Sequence, residues 1–243
     1  MIEPKIMLSD RQEQILNLLI QEYIDSAEPV SSQSLEQKYK FGVCPATIRI
    51  EMQKLTNDGY LGQPHTSAGR VPTDKGYRFF VDQLLREKPF EEDEKEFLNF
   101  WEELEKEIED SLRFTLLMTK KIAQETSSLA SAYFPEEDIA VKEGWSGIFK
   151  EPEFENLECL ERFARTADGI EEKIGELDKS KEMQVFIGEE NLLPQAGDFS
   201  LIISKISLPD DRAGFMAILG PKRMAYEKNI NLINSFKRFL EDF

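Results

Sequence analysis

The sequence predicts an α+β protein in two parts: helices around a short ribbon in the first third, and an antiparallel sheet with packed helices in the last half. Two observations carry this. Apolar residues recur at three- and four-residue spacing through most of residues 9–86, whereas residues 184–219 hold three Val-, Ile- and Phe-rich runs separated by turn residues. The formal charge divides at the same place. Of a net −17, residues 1–86 hold 10 Lys+Arg against 11 Asp+Glu, so nearly all the acidity lies in residues 87–243.

In chain order, Ser9-x-x-Gln12 is a capping box, in which each side chain satisfies an orphan N–H of the other's backbone. Ile15, Leu16, Leu18, Leu19, Tyr23 and Ile24 then follow at helical spacing until Glu28-Pro29. Ser32 caps a short second helix with Leu35 and Tyr39 inward. Phe41-Gly42-Val43 makes a turn in which Gly42 is free to take a positive φ. Cys44 stands at the N-cap position of a third helix, with Pro45 at its first turn. Ile48, Met52 and Leu55 form its buried stripe, and Gly59 closes it. Tyr60-Leu61 and Arg70-Val71-Pro72 are the two strands of a ribbon, with a polar loop, Gln63 to Gly69, between them. Thr73 caps a fourth helix carrying Tyr77, Phe79, Phe80, Val81, Leu84 and Leu85.

A helix followed directly by such a ribbon is the arrangement with which a winged-helix domain meets DNA, helix in the major groove and ribbon on the backbone. On that reading the candidate contacts on the third helix are Thr47, Arg49, Ile50, Gln53 and Lys54. On the ribbon they are His65, Thr66, Ser67 and Arg70, which offer hydroxyls, backbone N–H groups and a cation for phosphates. The competing reading of Arg49 is an ion pair with Glu51, Glu13 or another nearby acid. That of Cys44 is a plain cap substitute, against a thiol activated by the helix dipole. A near-neutral domain binds DNA weakly and with strong salt dependence.

Beyond a charged junction at Glu87, one long helix from about Glu92 to Ser127 is expected. Trp101, Leu104, Ile108, Leu112, Thr115, Met118 or Thr119, and Ile122 repeat at heptad-like spacing. It is either a core helix with one apolar face or a helix that pairs with its twin. Ile139-Ala140-Val141 is a short strand, Asn156 to about Ile174 a helix, and Gln184–Gly188, Phe199–Ile206 and Gly214–Leu219 are strands. A helix from Arg223 to Phe243 closes the chain. The domain boundaries so read are 1–86, 87–128 and 129–243.

The chain has one histidine and two distant cysteines, Cys44 and Cys159, so neither a zinc cluster, a disulfide framework nor a nucleophilic catalytic set is expected. A non-enzymatic, cofactor-free, cytoplasmic protein is the expectation, with no apolar run long enough for a membrane span.

HTSAGRVPTDKGYRFFVDQLL, preceded by ATIR-x-EM-x-x-L and GYL-x-QP, closely resembles the HrcA family of heat-inducible transcription repressors. FIGEEN (Phe186–Asn191), ILGPKRMAY (Ile218–Tyr226) and FKEPEFENLECL are similar to that family's C-terminal motifs. The resemblance implies a winged-helix domain and a GAF-like domain. It also implies a homodimer on an inverted-repeat operator of double-stranded DNA upstream of chaperone genes, with a chaperonin as modulator. The chain departs from the family pattern in two ways. A long segment before Gly144 is missing, so a reduced sheet of three or four strands is expected and the family's dimerisation insert is lost; the long helix is the candidate replacement. The helix start is Cys44-Pro45 rather than serine-rich, and Ile50 stands where the family has Asn. Asn reads adenine bidentately, whereas Ile can only touch apolar groups such as a thymine methyl. The alternative is therefore an effector- or chaperonin-binding sensor with weakened DNA binding.

Overall fold

A computed structural model describes residues 8–39, 41–86, 111–208 and 211–241, with the side chains of Ser111 and Leu112 left aside. The protein is α+β, in two compact units, Met1–Leu84 and Leu85–Phe243.

The first unit is built on α1 (Asp10–Ser26), α2 (Ser32–Lys38), α3 (Pro45–Asn57), a ribbon of β1 (Leu61–Gly62) and β2 (Val71–Pro72), and α4 (Asp74–Leu84). The capping box of α1 is formed in both directions, Gln12 N–H to Ser9 Oγ at 3.4 Å and Ser9 N–H to Gln12 Oε1 at 3.0 Å. Ile15, Leu16, Leu19 and Ile20 of α1 are fully buried, as are Ile48 and Leu55 of α3, and α1 and α2 both pack on α3. The N-cap of α2 is Ser31, not Ser32: Ser34 N–H donates to Ser31 Oγ at 3.0 Å. Two adjacent serines satisfy the same sequence pattern, and only one of them has the extended backbone a cap needs. Gly42 has φ +69°, as the turn before α3 requires. Thr73 caps α4, its Oγ accepting from Gly76 N–H at 3.2 Å and donating to Gly59 O at 2.6 Å.

The second unit holds α5 (Ser111–Thr126), β3 (Leu129–Phe134), β4 (Ile139–Glu143), α6 (Leu157–Lys173), β5 (Met183–Ile187), β6 (Phe199–Ser207), β7 (Ala213–Pro221) and α7 (Tyr226–Glu241). The strands form one antiparallel sheet in the order β4-β3-β7-β6-β5. Leu201, Ile203, Ala217 and Leu219 join Phe163, Ile170 and Phe199 in one apolar cluster beneath α6. The alternate residues Ala130, Ile202, Met216 and Ile218 are buried on the other face. There α5 lies on β3, β4 and β7, and α7 lies on β6. A sheet covered on both faces explains why β6 and β7 read as continuous apolar runs rather than alternating ones.

Among the described residues, five strands replace the expected three or four. The extra one, β3, sits between β4 and β7. Its sequence LASAYF is rich in small residues of low strand propensity, so no strand is expected between the helix ending at Ser127 and Ile139. Of the long helix, residues 92–110 lie outside the described residues. In the described half, Thr115, Met118, Thr119 and Ile122 are all buried, so its apolar seam belongs to this unit's own core. No helix among the described residues is long and apolar enough to cross a membrane.

Candidate nucleic-acid interface

One face of the first unit brings α3 and the loop of the ribbon together around a polar groove of about 440 Å³. The burial of Ile48, Met52 and Leu55 turns the opposite side of α3 outward. Ile50 is 57% exposed there, a large apolar side chain in open solvent.

Arg49 is exposed and lines the groove. Glu51 and Glu13, the two acids named for it, are engaged elsewhere. Glu51 takes Lys54 at 3.0 Å, and Glu13 accepts from Gln83 at 3.2 Å. Arg49 has no ion pair or hydrogen bond among the described residues, so its guanidinium keeps all five donors. Lys54 is exposed and, among the described residues, held only by the Glu51 pair, a surface contact worth little. Thr47 lies 3.5 Å from Cys44 Sγ through its hydroxyl. That hydroxyl, followed by the backbone N–H groups of Thr47 and Ala46, holds the exposed Cys44 thiol below the ordinary range.

The ribbon loop is ordered by a residue the sequence did not single out. Gln63 Nε2 donates to the carbonyls of Thr66 and Ala68, both at 3.0 Å, and Ala68 N–H donates to His65 O at 2.9 Å. His65, Thr66 and Ser67 are exposed at the tip, with Ser67 Oγ 3.4 Å from His65 Nδ1. The base of the ribbon is fixed by a further rung that was also not anticipated. Val30 N–H donates to Arg70 O at 2.9 Å, and Arg70 N–H to Val30 O at 2.8 Å. A β-branched residue following Pro29 is the sequence signal that could have marked this extended segment. Gly69 permits the close approach: a Cβ there would sit 2.5 Å from the Val30 carbonyl.

Arg70 does not reach toward the loop tip. Its Nε donates to Thr56 Oγ1 at 3.0 Å and its Nη2 to Gln53 Oε1 at 2.9 Å, both on α3. Gln53 in turn donates to Asn57 Oδ1 at 3.0 Å. The candidate residues thus fall into two groups. Arg49 and Ile50 project outward from α3 and the tip residues His65, Thr66 and Ser67 from the loop, whereas Gln53 and Arg70 bind each other. Chemically, the face offers a guanidinium without a partner among the described residues, hydroxyls and an apolar side chain beside a groove, a set suited to a polyanion with thymine methyls on its base edges.

Comparison with known proteins agrees with the motifs. The family described as "HrcA protein C terminal domain" matches residues 77–230. The heat-inducible transcription repressor HrcA of Thermodesulfovibrio yellowstonii is 28% identical over 342 aligned positions, covering 96% of this chain and 97% of that protein. An alignment longer than the 243-residue chain has to open long gaps in it. The HrcA repressor of Thermobifida fusca is 41% identical over 127 residues, 51% of this chain and 37% of that one. A crystal structure of a hypothetical protein superposes with a TM-score of 0.77 at 18% identity, covering 97% of this chain and 98% of that one, so it shares the fold. With a family match that extends from α4 into α7 and takes in most of the chain, this protein belongs to the HrcA family.

Proposed function

We propose that this chain is a heat-inducible transcription repressor that binds operator DNA through α3 and the ribbon. The observation that carries the reading is Arg49, a guanidinium without a partner among the described residues, at the rim of the groove beside the exposed Ile50. The first unit is read as a winged helix. Supporting this are the order α1, α2, α3, ribbon, α4 and the rung that Val30 adds to the ribbon. The second unit is read as GAF-like, on the strength of a five-stranded antiparallel sheet with helices on both faces. Domain limits of 1–86, 87–128 and 129–243 go with this reading, as does a place in the cytoplasm and a function without enzymatic chemistry.

In this reading α3 enters the major groove. Thr47, Arg49, Ile50 and Lys54 face DNA, while His65, Thr66 and Ser67 lie along the backbone. Ile50 touches a thymine methyl where an amide side chain would have read adenine. The protein acts as a homodimer on an inverted repeat, with half-sites one or more turns of ~34–36 Å apart, and a chaperonin modulates it.

A titration of the full chain against the upstream region of its own chaperone operon tests this. A salt-sensitive complex that protects an inverted repeat is expected. Ile50→Asn should shift preference at a single base pair of each half-site without loss of stability. Absence of any complex at low ionic strength sinks the reading.

A further inference from the structure

We infer that the two arginines of this face have separate roles: Arg49 is a phosphate ligand, and Arg70 is a positioning residue that locks the ribbon to α3 through Gln53 and Thr56. The inference rests on the DNA-binding reading for its ligand but not for its strut.

Arg70 is held from every side. Its backbone is paired in both directions with Val30, at 2.8 and 2.9 Å. Its side chain runs back to α3, with Nε on Thr56 Oγ1 at 3.0 Å and Nη2 on Gln53 Oε1 at 2.9 Å. Thr56 is itself anchored, donating to Met52 O at 2.8 Å. The guanidinium therefore spans from the ribbon's return strand to two positions on the helix three residues apart, Gln53 and Thr56. A planar fork with fixed donor directions does this where a lysine could not.

The same contacts change the assignment of Gln53. Reading adenine needs both ends of an amide side chain, one to donate and one to accept. In Gln53 the oxygen accepts from Arg70 and the nitrogen donates to Asn57 at 3.0 Å. Both ends of Gln53 are thereby held in place by neighbours within the protein, which fixes the side chain as part of the strut although it lies on the outward face. Arg49 stands one turn earlier on the helix, lines the same groove, and has no partner among the described residues. Its charge is available to a phosphate without breaking any contact. Discrimination between base pairs then falls to Ile50, while Arg70 fixes the angle between the helix in one groove and the ribbon on the backbone.

The test uses the full chain and four variants, Arg49→Ala, Arg70→Ala, Gln53→Ala and the double Arg70→Ala/Gln53→Ala. Fluorescence anisotropy on an operator-containing duplex is measured across a series of salt concentrations. Arg49→Ala should reduce the slope of log K against log salt by about one, as expected when one phosphate contact is lost. Arg70→Ala and Gln53→Ala should each weaken binding by about tenfold with the slope unchanged, and the double variant should be no weaker than Arg70→Ala alone. In the free protein, hydrogen exchange at the amides of Val30, Ala68 and Arg70 should quicken in Arg70→Ala and Gln53→Ala and stay unchanged in Arg49→Ala. The inference is overturned if Arg70→Ala reduces the salt slope while Gln53→Ala is silent. It is equally overturned if Gln53→Ala leaves the ribbon amides unchanged. Should Arg70→Ala fail to fold, Gln53→Ala decides alone, because its side chain is exposed. If the wild-type chain binds no DNA, the functional reading fails, and the exchange measurements still decide the strut.

Discussion

Ser200 Oγ and Tyr226 OH lie 2.6 Å apart in the interior of the second unit, joining β6 to the first residue of α7, and both residues are fully buried. The Tyr226 hydroxyl also donates to Lys222 O at 2.6 Å. A hydroxyl shared between strand and helix in this buried layer fixes where α7 begins. Tyr226→Phe removes it and leaves the Ser200 hydroxyl and the Lys222 carbonyl short of a partner. The expected loss is about 1–3 kcal/mol in urea unfolding, the usual penalty for an unsatisfied buried group. Ser200→Ala combined with Tyr226→Phe should lose less than the sum of the two single changes. An additive result would show that the two hydroxyls do not act as a pair.

A second expectation concerns acid. Glu22 of α1 accepts from Tyr39 OH at 2.7 Å and pairs with Lys38. Burial works to raise its pKa, but the hydrogen bonds from Lys38 and Tyr39 and the charge of Lys38 outweigh it, so the carboxyl titrates below its ordinary value. A carboxylate with a depressed folded pKa stabilises the fold above its unfolded value of about 4.3 and loses that stabilisation as pH falls through the folded value. Unfolding of the wild-type chain should therefore steepen with acid in that window. Glu22→Gln should be less stable near neutral pH and show a flatter curve below about pH 4.3. Parallel curves for the two proteins would remove Glu22 from the account of acid stability.

Much of the fold could be read from the sequence because most elements have one clean periodicity. The stripe Ile48, Met52, Leu55 is buried at 0, 3 and 0% exposure, and that alone determines which side of α3 faces out. Strands β5, β6 and β7 announce themselves by Val, Ile and Phe between turns. Strand β3 does not, since a central strand between two helical layers admits Ala and Ser where an exposed one would show branched residues. The site was legible by residue type but not by pairing. Whether Arg49 is free depends on where Glu51 and Glu13 turn, and sequence spacing allowed either outcome. The Arg70–Gln53 bond joins residues 17 apart across a loop whose path is determined by Gln63 and Gly69. No local pattern encodes that contact.

The two cysteines should differ sharply as nucleophiles. Cys44 is exposed at the start of α3 and its thiol is held low, first by the Thr47 hydroxyl and then by backbone amides. Cys159 is buried, and burial is the main cause pushing its thiol up, against the opposing charge of Arg162. Alkylation by iodoacetamide follows the thiolate fraction and access. Cys44 should be labelled in the native protein with a midpoint below the ordinary ~8.5, and Cys159 only on unfolding. Thr47→Val should move the Cys44 profile upward. Mass spectrometry of the two peptides over a pH series reads both, and equal labelling rates at the two sites would contradict the expectation.

Gly69→Ala should damage the surface formed by α3 and the ribbon more than its size suggests. A Cβ at this position would lie 2.5 Å from the Val30 carbonyl carbon and oxygen and 2.6 Å from Pro29 O. All three atoms are backbone, so no side chain can turn aside to make room. Relief requires parting the strand of Val30 from that of Arg70, which breaks hydrogen bonds of 2.9 and 2.8 Å. Because Arg70 is the residue on the far side of that break, its hold on Gln53 and Thr56 loosens as well. Gly42→Ala is the comparison: its φ of +69° strains any side chain, yet nothing lies within 4 Å of the new Cβ. Gly42→Ala should cost about 1–2 kcal/mol of stability, the local penalty of a left-handed alanine, and leave the ribbon amides protected. Gly69→Ala should cost about 1–3 kcal/mol and also expose the amides of Val30 and Arg70 to exchange, with DNA affinity falling further than the loss of stability accounts for. Equal effects of the two substitutions on ribbon exchange would show that the close approach at Gly69 does not hold the ribbon in place.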